Sequence, residues 1–366
     1  MKERNPFFIK GYHGPEYFCD RRIETEKLRS AVENGRDVTL LAPRRFGKTG
    51  LIWHLFHKLP DEYVTIYLDL YSIADLAGFA KAFAAAAVAA IDSPLVKAGK
   101  GIVKFFKSCR PTATATADGV KWSFDVSKSA AEPTLREAFD YIAGCGRECV
   151  IAIDEFQQVR EFPETGIEAL IRSLIQNIGN AHFIFAGSRR HLMQEMFALP
   201  RSPFYKSTQI MELSEIDREE YCKFAAKFFR SAKKRFSVDV FNRLYDRFDG
   251  ITWYIQAVLN RAWEYAEGLS ADESVDEAVD TLTVESDFTY GDLLRSQTPS
   301  EKAILAAVAK EGVVKEISGK AFIAKYDLPS PSTVRSAVEN LVSRDLLYRD
   351  QRGYSVYDRI FAQWLR

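Results

Sequence analysis

Short apolar runs alternate with stretches of helical periodicity over the first two-thirds of the chain. Val38, Thr39, Leu40 and Leu41 form a β-branched, apolar run of the kind that fits a buried parallel strand. It stops at Ala42-Pro43, because proline cannot continue a ladder, and Leu51, Ile52, Leu55 and Phe56 then recur at helical spacing. Further strands are predicted at 63–70, 149–154, 182–186 and 209–213. Helices are predicted at 76–91, 95–107 and 168–178, with another from near Pro133 to Ala143. Before the first strand, a helix over 24–34 would turn Ile23, Leu28 and Val32 inward, and Gly35 would close it. Alternation on both sides of Asp118-Gly119 predicts a β-hairpin over 111–127, inserted into an α/β domain as a lid or contact arm.

From about residue 215 the pattern is helical alone. Helices are predicted over 217–233, 238–248 and 251–267, the second with Phe241, Leu244, Tyr245 and Phe248 on one face. Beyond Pro299, helices over 301–310, 320–326 and 332–344 precede a hairpin around Asp350-Gln-Arg-Gly353. Three helices and a terminal hairpin make a winged-helix pattern. The expected organisation is an α/β core over 1–214, a helical subdomain over 215–297 and a winged helix over 298–366.

Composition narrows the function classes. The chain has 366 residues and balances 50 basic against 50 acidic side chains, so no global field draws it to nucleic acid or anionic lipid. Its five cysteines contain no Cys-x-x-Cys pair, which fits free thiols in a reducing compartment better than a disulfide framework or a zinc site. The N-terminal residues lack a signal-peptide apolar core, and the alanine-rich stretch 82–91 is far short of a bilayer span. A soluble, cytoplasmic protein with no membrane partner is expected.

The chemistry concentrates after the first strand. Ala42-Pro43-Arg44-Arg45-Phe46-Gly47-Lys48-Thr49-Gly50 lies between a strand and a helix, the context of a P-loop. Backbone N–H groups of Pro43-to-Gly50 type loops form a nest for phosphate oxygens, with Lys48 reaching the β- and γ-phosphates and Thr49 offering its hydroxyl to Mg²⁺. Ala42 stands where the motif has its first glycine. Asp154 and Glu155 end an apolar strand in a Walker B pattern. Asp154 suits a Mg²⁺ ligand, and Glu155 suits the general base that polarises water. Asp69 falls near the carboxyl end of its strand, where ligands sit in open α/β sheets. Ser188 and Arg189 follow the strand expected between these two motifs and are the candidates for sensing the γ-phosphate; the alternative for Arg189-Arg190 is a solvated helix start or an ion pair with Glu195. Phe18 or Tyr17 would pack on the base or act as an aromatic staple. Arg335 on the third helix and Arg349 or Arg352 on the wing could meet nucleic-acid phosphates, although Glu339 and Asp350 are interleaved and a protein-contact wing competes evenly.

Phe18-Cys-Asp-Arg-Arg-Ile-Glu24, the Ala42–Thr49 loop, Ile153-Asp-Glu155, Phe185-Ala-Gly-Ser-Arg189, Ser202-Pro-Phe-Tyr205 and the terminal Val356-to-Arg366 segment occur in one order. Together they resemble the archaeal-type ATPase family, within the STAND branch of the AAA-like P-loop NTPases. The resemblance implies a three-layer sandwich with a parallel sheet in the order 5-1-4-3-2, a helical lid and a winged helix. It also implies ATP and Mg²⁺ as cofactors, with nucleotide-dependent switching between closed and open or oligomeric states. Three positions depart from the family pattern: Asp20 replaces a glycine, Gly250-Ile251-Thr252 lacks an expected proline, and Lys206 stands where similar proteins carry arginine. Arg201 is the fallback arginine finger. The function expected is an ATP-hydrolysing molecular switch. Its alternatives are an ATP-dependent DNA-binding or replication-initiator-like regulator, and a scaffold that binds nucleotide but barely hydrolyses it. The partners left open are an unknown protein, further copies of the chain, and DNA through the winged helix.

Overall fold

The computed structural model describes residues 4–92, 102, 105–116, 119–265 and 267–366. The chain divides into two units, Lys10–Ile216 and the described residues up to Ile9 together with Asp217–Arg366. The helix expected over 95–107 falls largely outside the described residues, as does Asp118 of the expected hairpin turn.

In the first unit, β1 (Val38–Leu41), β2 (Val64–Asp69), β5 (Cys149–Asp154), β6 (Ala181–Gly187) and β7 (Gln209–Glu212) form one parallel sheet. Its order is β2-β5-β6-β1-β7, which is 5-1-4-3-2 once the hairpin strands are left out of the numbering. Every residue of β1 and β5 is buried, as central strands of a parallel sheet require. On one side, the helix Leu76–Ile91 packs against the helix Ala131–Ala143, with Phe83 stacked on Phe139 at 5.0 Å. Alanines at 80, 84 and 87 line the buried face and let the neighbouring backbones approach closely.

The hairpin is β3 (Arg110–Thr116) and β4 (Gly119–Asp125), antiparallel, with Thr116 opposite Gly119. Strand β4 lies along the helix Leu76–Ile91 and turns Phe124 into the core against Phe106, while Thr112 and Thr114 of β3 face solvent. One strand therefore anchors the arm and the other presents it.

Two expectations need correction. Ile23 does not point inward: it is 69% exposed, because the helix starts at Arg22 and buries Thr25, Leu28, Ala31 and Val32. Glu195 is not the partner of the Arg189-Arg190 pair; it bonds Arg160, while Arg189 meets Glu161 and Arg190 meets Glu212.

In the second unit, the helices Arg218–Ser231, Val238–Arg247 and Thr252–Glu264 close around Phe7, which touches Phe228, Phe229 and Trp263. The N-terminal segment is held there by reciprocal bonds, Asn5 Nδ2 to the carbonyl of Asn260 and Asn260 Nδ2 to that of Phe7. Two helices not singled out in the sequence, Asp272–Glu285 and Asp287–Arg295, follow. The winged-helix portion then comprises the helices Pro299–Glu311, Lys320–Tyr326 and Pro331–Ser343, the hairpin β8 (Leu347–Asp350) and β9 (Gly353–Val356), and the helix Arg359–Trp364.

Asp358 joins these parts. Its carboxylate caps its own helix by accepting from the N–H groups of Ile360 and Phe361, and it accepts the hydroxyls of Tyr254 and Tyr290 at 3.2 Å each. Close by, Asp249 pairs with Arg352 at 2.9 Å and Arg359 at 2.8 Å. The wing arginine Arg352 is thus paired with Asp249 and Asp350. Loss of an N-cap costs about 1 kcal/mol and each hydroxyl bond to a charged group contributes about 1.5 kcal/mol. Asp358→Ala is therefore expected to destabilise this unit by about 2–4 kcal/mol in urea unfolding followed by tryptophan fluorescence; a loss under about 0.5 kcal/mol would remove Asp358 from this role.

Candidate nucleotide site

The site is built on the carboxyl edge of the sheet. β1 ends at Leu41, and the chain turns through Ala42 to Gly47 before the helix Lys48–Lys58 begins. Gly47 has φ 89° and Arg45 φ 72°, so the loop's curl depends on left-handed conformations. No atom lies within 4 Å of a side chain imagined at Gly47, so conformation rather than space requires glycine there.

Lys48 folds back into this loop, its ammonium donating to the carbonyls of Ala42 at 2.8 Å and Pro43 at 3.2 Å. Burial pushes it below the ordinary lysine value, and the carboxylates of Glu155 and Asp154 pull it back up. The Thr49 hydroxyl donates to Asp154 Oδ2 at 2.7 Å. Thr49 and Asp154 lie on elements that are not neighbours in the sheet, so this bond reports that the loop and the β5 end converge. Asp154 is buried, and its Oδ2 also accepts the Tyr67 hydroxyl at 3.0 Å. Burial, with the charges of Asp154 and Asp69, raises the Tyr67 phenol well above its ordinary range and keeps it a donor.

Glu155 follows Asp154 with φ 53°, in a left-handed turn. Its Oε2 accepts Ser188 Oγ at 2.6 Å and Gln157 Nε2. Ser188 follows β6, the strand lying between β1 and β5, so it sits beside the acid pair. Arg189 is drawn off to Glu161, at 3.1 Å. Asp69 stands opposite Asp154 in the β2–β5 register and accepts the N–H of Tyr71, and the Arg44 guanidinium lies 5.7 Å from the Tyr71 ring.

On the other flank, Phe18 stacks on His54 of the Lys48–Lys58 helix at 4.2 Å, with Gly50 beneath its ring edge. Tyr12 shares a hydrogen bond of 2.9 Å with His54 Nδ1, and its burial pushes the phenol up to about 12. The contact described for Phe18 is the staple onto the Lys48–Lys58 helix. Phe46 is buried, and its carbonyl accepts Arg21 Nη2 at 3.3 Å, while Arg21 Nη1 pairs with Glu24 at 2.8 Å. Arg21, 3% exposed, so ties the N-terminal helix to the back of the loop. Arg201 is exposed, and Lys206 lies over the Tyr205 ring at 5.3 Å.

Sequence reasoning missed Arg21, Tyr67 and Gln157. The signal for Arg21 was present in the Arg-x-x-Glu spacing of Arg21 and Glu24, which puts both on one helix face. Tyr67 was visible only as an alternating strand residue, and Gln157 carried no signal because an amide near an acid pair is compatible with any surface turn.

A thiol-free set of a threonine hydroxyl and a carboxylate, both oxygen donors converging at one point, suits a hard divalent cation such as Mg²⁺. Among the described residues there is no cluster of three or more His, Cys, Asp or Glu side chains able to hold a metal alone, so any ion here would need ligands from phosphate or water.

Comparison with known proteins gives a consistent picture. A search of curated proteins gave no match. A Walker-type ATPase of Pyrococcus abyssi superposes with TM-score 0.68 at 18% identity, covering 99% of both chains. The ORC2 protein of Aeropyrum pernix, in ADPNP–ADP complexes, has TM-score 0.62 at 15% identity, covering 100% of this chain and 96% of its own. The ORC1 protein of the same organism, in complex with DNA, has TM-score 0.54 at 14% identity, covering 99% and 96%. At these identities the likeness shows the fold. Residues 288–366 match a family described as a probable winged helix domain. Residues 18–258 match the family described as an ATPase domain predominantly from Archaea, and with most of its length inside that match the chain belongs to this archaeal-type ATPase family.

Proposed function

We propose that the chain binds ATP with Mg²⁺ at the loop 43–50 and hydrolyses it, using the nucleotide state as a molecular switch. The observation that carries the reading is the Thr49–Asp154 hydrogen bond beside the buried Lys48 and the Glu155 carboxylate. In this reading the N–H groups from Pro43 to Gly50 that remain after proline cradle the phosphates, helped by the helix dipole. Lys48 exchanges the carbonyls of Ala42 and Pro43 for β- and γ-phosphate oxygens, so its burial is compensated by charge rather than by dipoles alone. Thr49 and Asp154, directly or through water, would hold Mg²⁺, which would supply charge neutralisation on the phosphate oxygens. Glu155 accepts the proton of the attacking water, and Ser188, bonded to Glu155, is the candidate for sensing the γ-phosphate. Arg189 is a weaker sensor candidate, since Glu161 already engages it. Phe18 serves the site by stapling the loop's helix to the N-terminal segment.

A switch needs a nucleotide that favours one arrangement over another by differential contacts. Lys48, Ser188 and Glu155 are the groups here that distinguish a triphosphate from a diphosphate. A second reading, duplex DNA binding through the winged helix, has one favouring observation: Arg335 is exposed on the helix Pro331–Ser343. The engagement of Arg352 by Asp249 and Asp350 weighs against it. Fluorescence anisotropy with labelled duplex at two salt concentrations separates the readings, since phosphate contacts give steep salt dependence.

Lys48→Ala is expected to abolish ATP binding in titration calorimetry with magnesium present; an undiminished heat would refute the loop as the phosphate site. Glu155→Gln is expected to keep ATP affinity and lose turnover by about 100-fold or more. Full turnover in that variant would end the assignment of Glu155 as base. Arg21→Met, which leaves the Phe46 carbonyl and Glu24 without their shared partner, is expected to lower stability by about 2 kcal/mol and to weaken ATP binding. A thermal melt and calorimetry trace both matching the native protein would show that Arg21 does not hold the loop.

A further inference from the structure

We propose that Gln157 is the positioning residue for the Glu155 carboxylate, a role that rests on Glu155 being the general base. Gln157 lies in the 3₁₀ turn Phe156–Glu161 and is 3% exposed, an unusual burial for a primary amide outside any ligand set. Its Nε2 donates to Glu155 Oε2, the same oxygen that takes Ser188 Oγ. The two donors come from different elements, one following β5 and one following β6, and they meet on one oxygen. That leaves Oε1 as the oxygen free of these two bonds, and it fixes the side chain in one rotamer.

The far end of Gln157 shows that this contact is imposed. Its Oε1 is buried with no hydrogen-bond partner among the described atoms. An unpartnered buried amide oxygen costs about 1–3 kcal/mol, so an amide free to turn would satisfy both ends or leave the interior. Gly187 explains why it stays. A Cβ at Gly187 would sit 2.5 Å from Gln157 Oε1 and equally close to Met193, so a side chain there would displace the amide or the methionine. Met193, wholly buried on the next helix, closes the remaining side. The Gln157 side chain is therefore wedged with its donor end aimed at Glu155.

A glutamate held this way loses little on reaching its working geometry. Free glutamate rotamers carry up to about 2 kcal/mol of entropy, and small misplacements of a reacting group are costly in rate. Ser188 alone would fix the distance of Oε2 from β6; Gln157 adds the second direction needed to orient the carboxylate plane. The amide touches neither phosphate nor water in this assignment and acts through Glu155.

The test uses the full chain with Mg²⁺ and ATP. Gln157→Met keeps the volume and removes the donor. It is expected to lower kcat about 10- to 100-fold while KM and the equilibrium affinity for ATP stay within about twofold. Combined with Glu155→Gln, it should add no further fall, because there is no base left to position. Gln157→Glu, should the methionine variant fail to fold, places a second carboxylate against Oε2 and should lower kcat similarly. Native kcat in either folded variant overturns the proposal, and so does a further proportional loss in the double variant, which would mark a purely structural role. Turnover surviving in Glu155→Gln overturns the base assignment and this proposal with it, whereas a silent Gln157 with an inactive Glu155→Gln overturns this proposal alone.

Discussion

One hydrogen bond, from the Thr49 hydroxyl to Asp154, joins two parts of the chain more than a hundred residues apart and defines the rest of the site. It spans from the element after β1 to the end of β5, with β6 between them. It needs the three strands to run parallel and finish near one another. The register delivers this: Leu41 lies opposite Gly187, and Ile153 lies opposite Phe185, so the chain leaves the sheet within one residue of the same height in each strand. Lys48, Asp154, Glu155 and Ser188 are then neighbours as a consequence of topology. None of them needs a special contact to find the others.

The sheet and the loop were legible because parallel central strands are apolar on both faces and the motif lies between a strand and a helix. The hairpin was legible from its alternation, and the structure adds which strand is anchored, through Phe124. What could not be read were side chains whose role is set by a distant neighbour. Ile23 was grouped with Leu28 and Val32 but ended in solvent: it stands five residues before Leu28, about 140° away round a helix, and the helix Arg22–Glu33 turns Thr25, Leu28, Ala31 and Val32 inward instead. Gln157 was invisible because its burial depends on the absence of a side chain at Gly187, thirty residues on. The family resemblance placed a glycine where Asp20 stands, and the φ of 51° at Asp20 gives the reason: the backbone there asks for the left-handed region, which aspartate tolerates at modest cost.

The winged-helix portion shows the opposite balance. Its three helices and hairpin were plain in the sequence, while the use of its charges was not. The sequence left phosphate and protein contact open for the wing, and the structure shows one use of its charges: Asp249, at the turn after the helix Val238–Arg247, holds Arg352 and Arg359 together. Exposed ion pairs contribute little stability, about 0–1 kcal/mol each, but they still remove a cation from the pool that a polyanion would meet. The stronger tie is Asp358, where a cap and two tyrosine hydroxyls coincide on one carboxylate. The terminal Asp-x-x-Phe-x-x-Trp segment is therefore explained by packing within this unit, with Trp364 Nε1 on Asp287 and Phe361 against Tyr290, and a signature of that kind need not imply a ligand.

The distribution of left-handed backbone argues that the nucleotide site is organised before anything binds to it. Non-glycine residues in that region cost about 1–2 kcal/mol each. Four of them, Lys233, Asp249, Asp327 and Asp345, lie at or just past helix ends, where this conformation is the ordinary way to stop a helix. Of the other five, Lys206 lies in the turn before β7, while Asp20, Arg21, Arg45 and Glu155 surround the phosphate loop and the acid pair. Two of these four are held by named partners: Arg21 by Glu24 and the Phe46 carbonyl, Glu155 by Ser188 and Gln157. Strain that is this concentrated and this well braced persists only because the surrounding sheet over-determines it. A loop shaped by its own backbone, with its lysine and acids already within reach of one another, leaves less ordering to be done when a phosphate arrives, and that is the physical advantage of placing the site on the edge of a buried sheet.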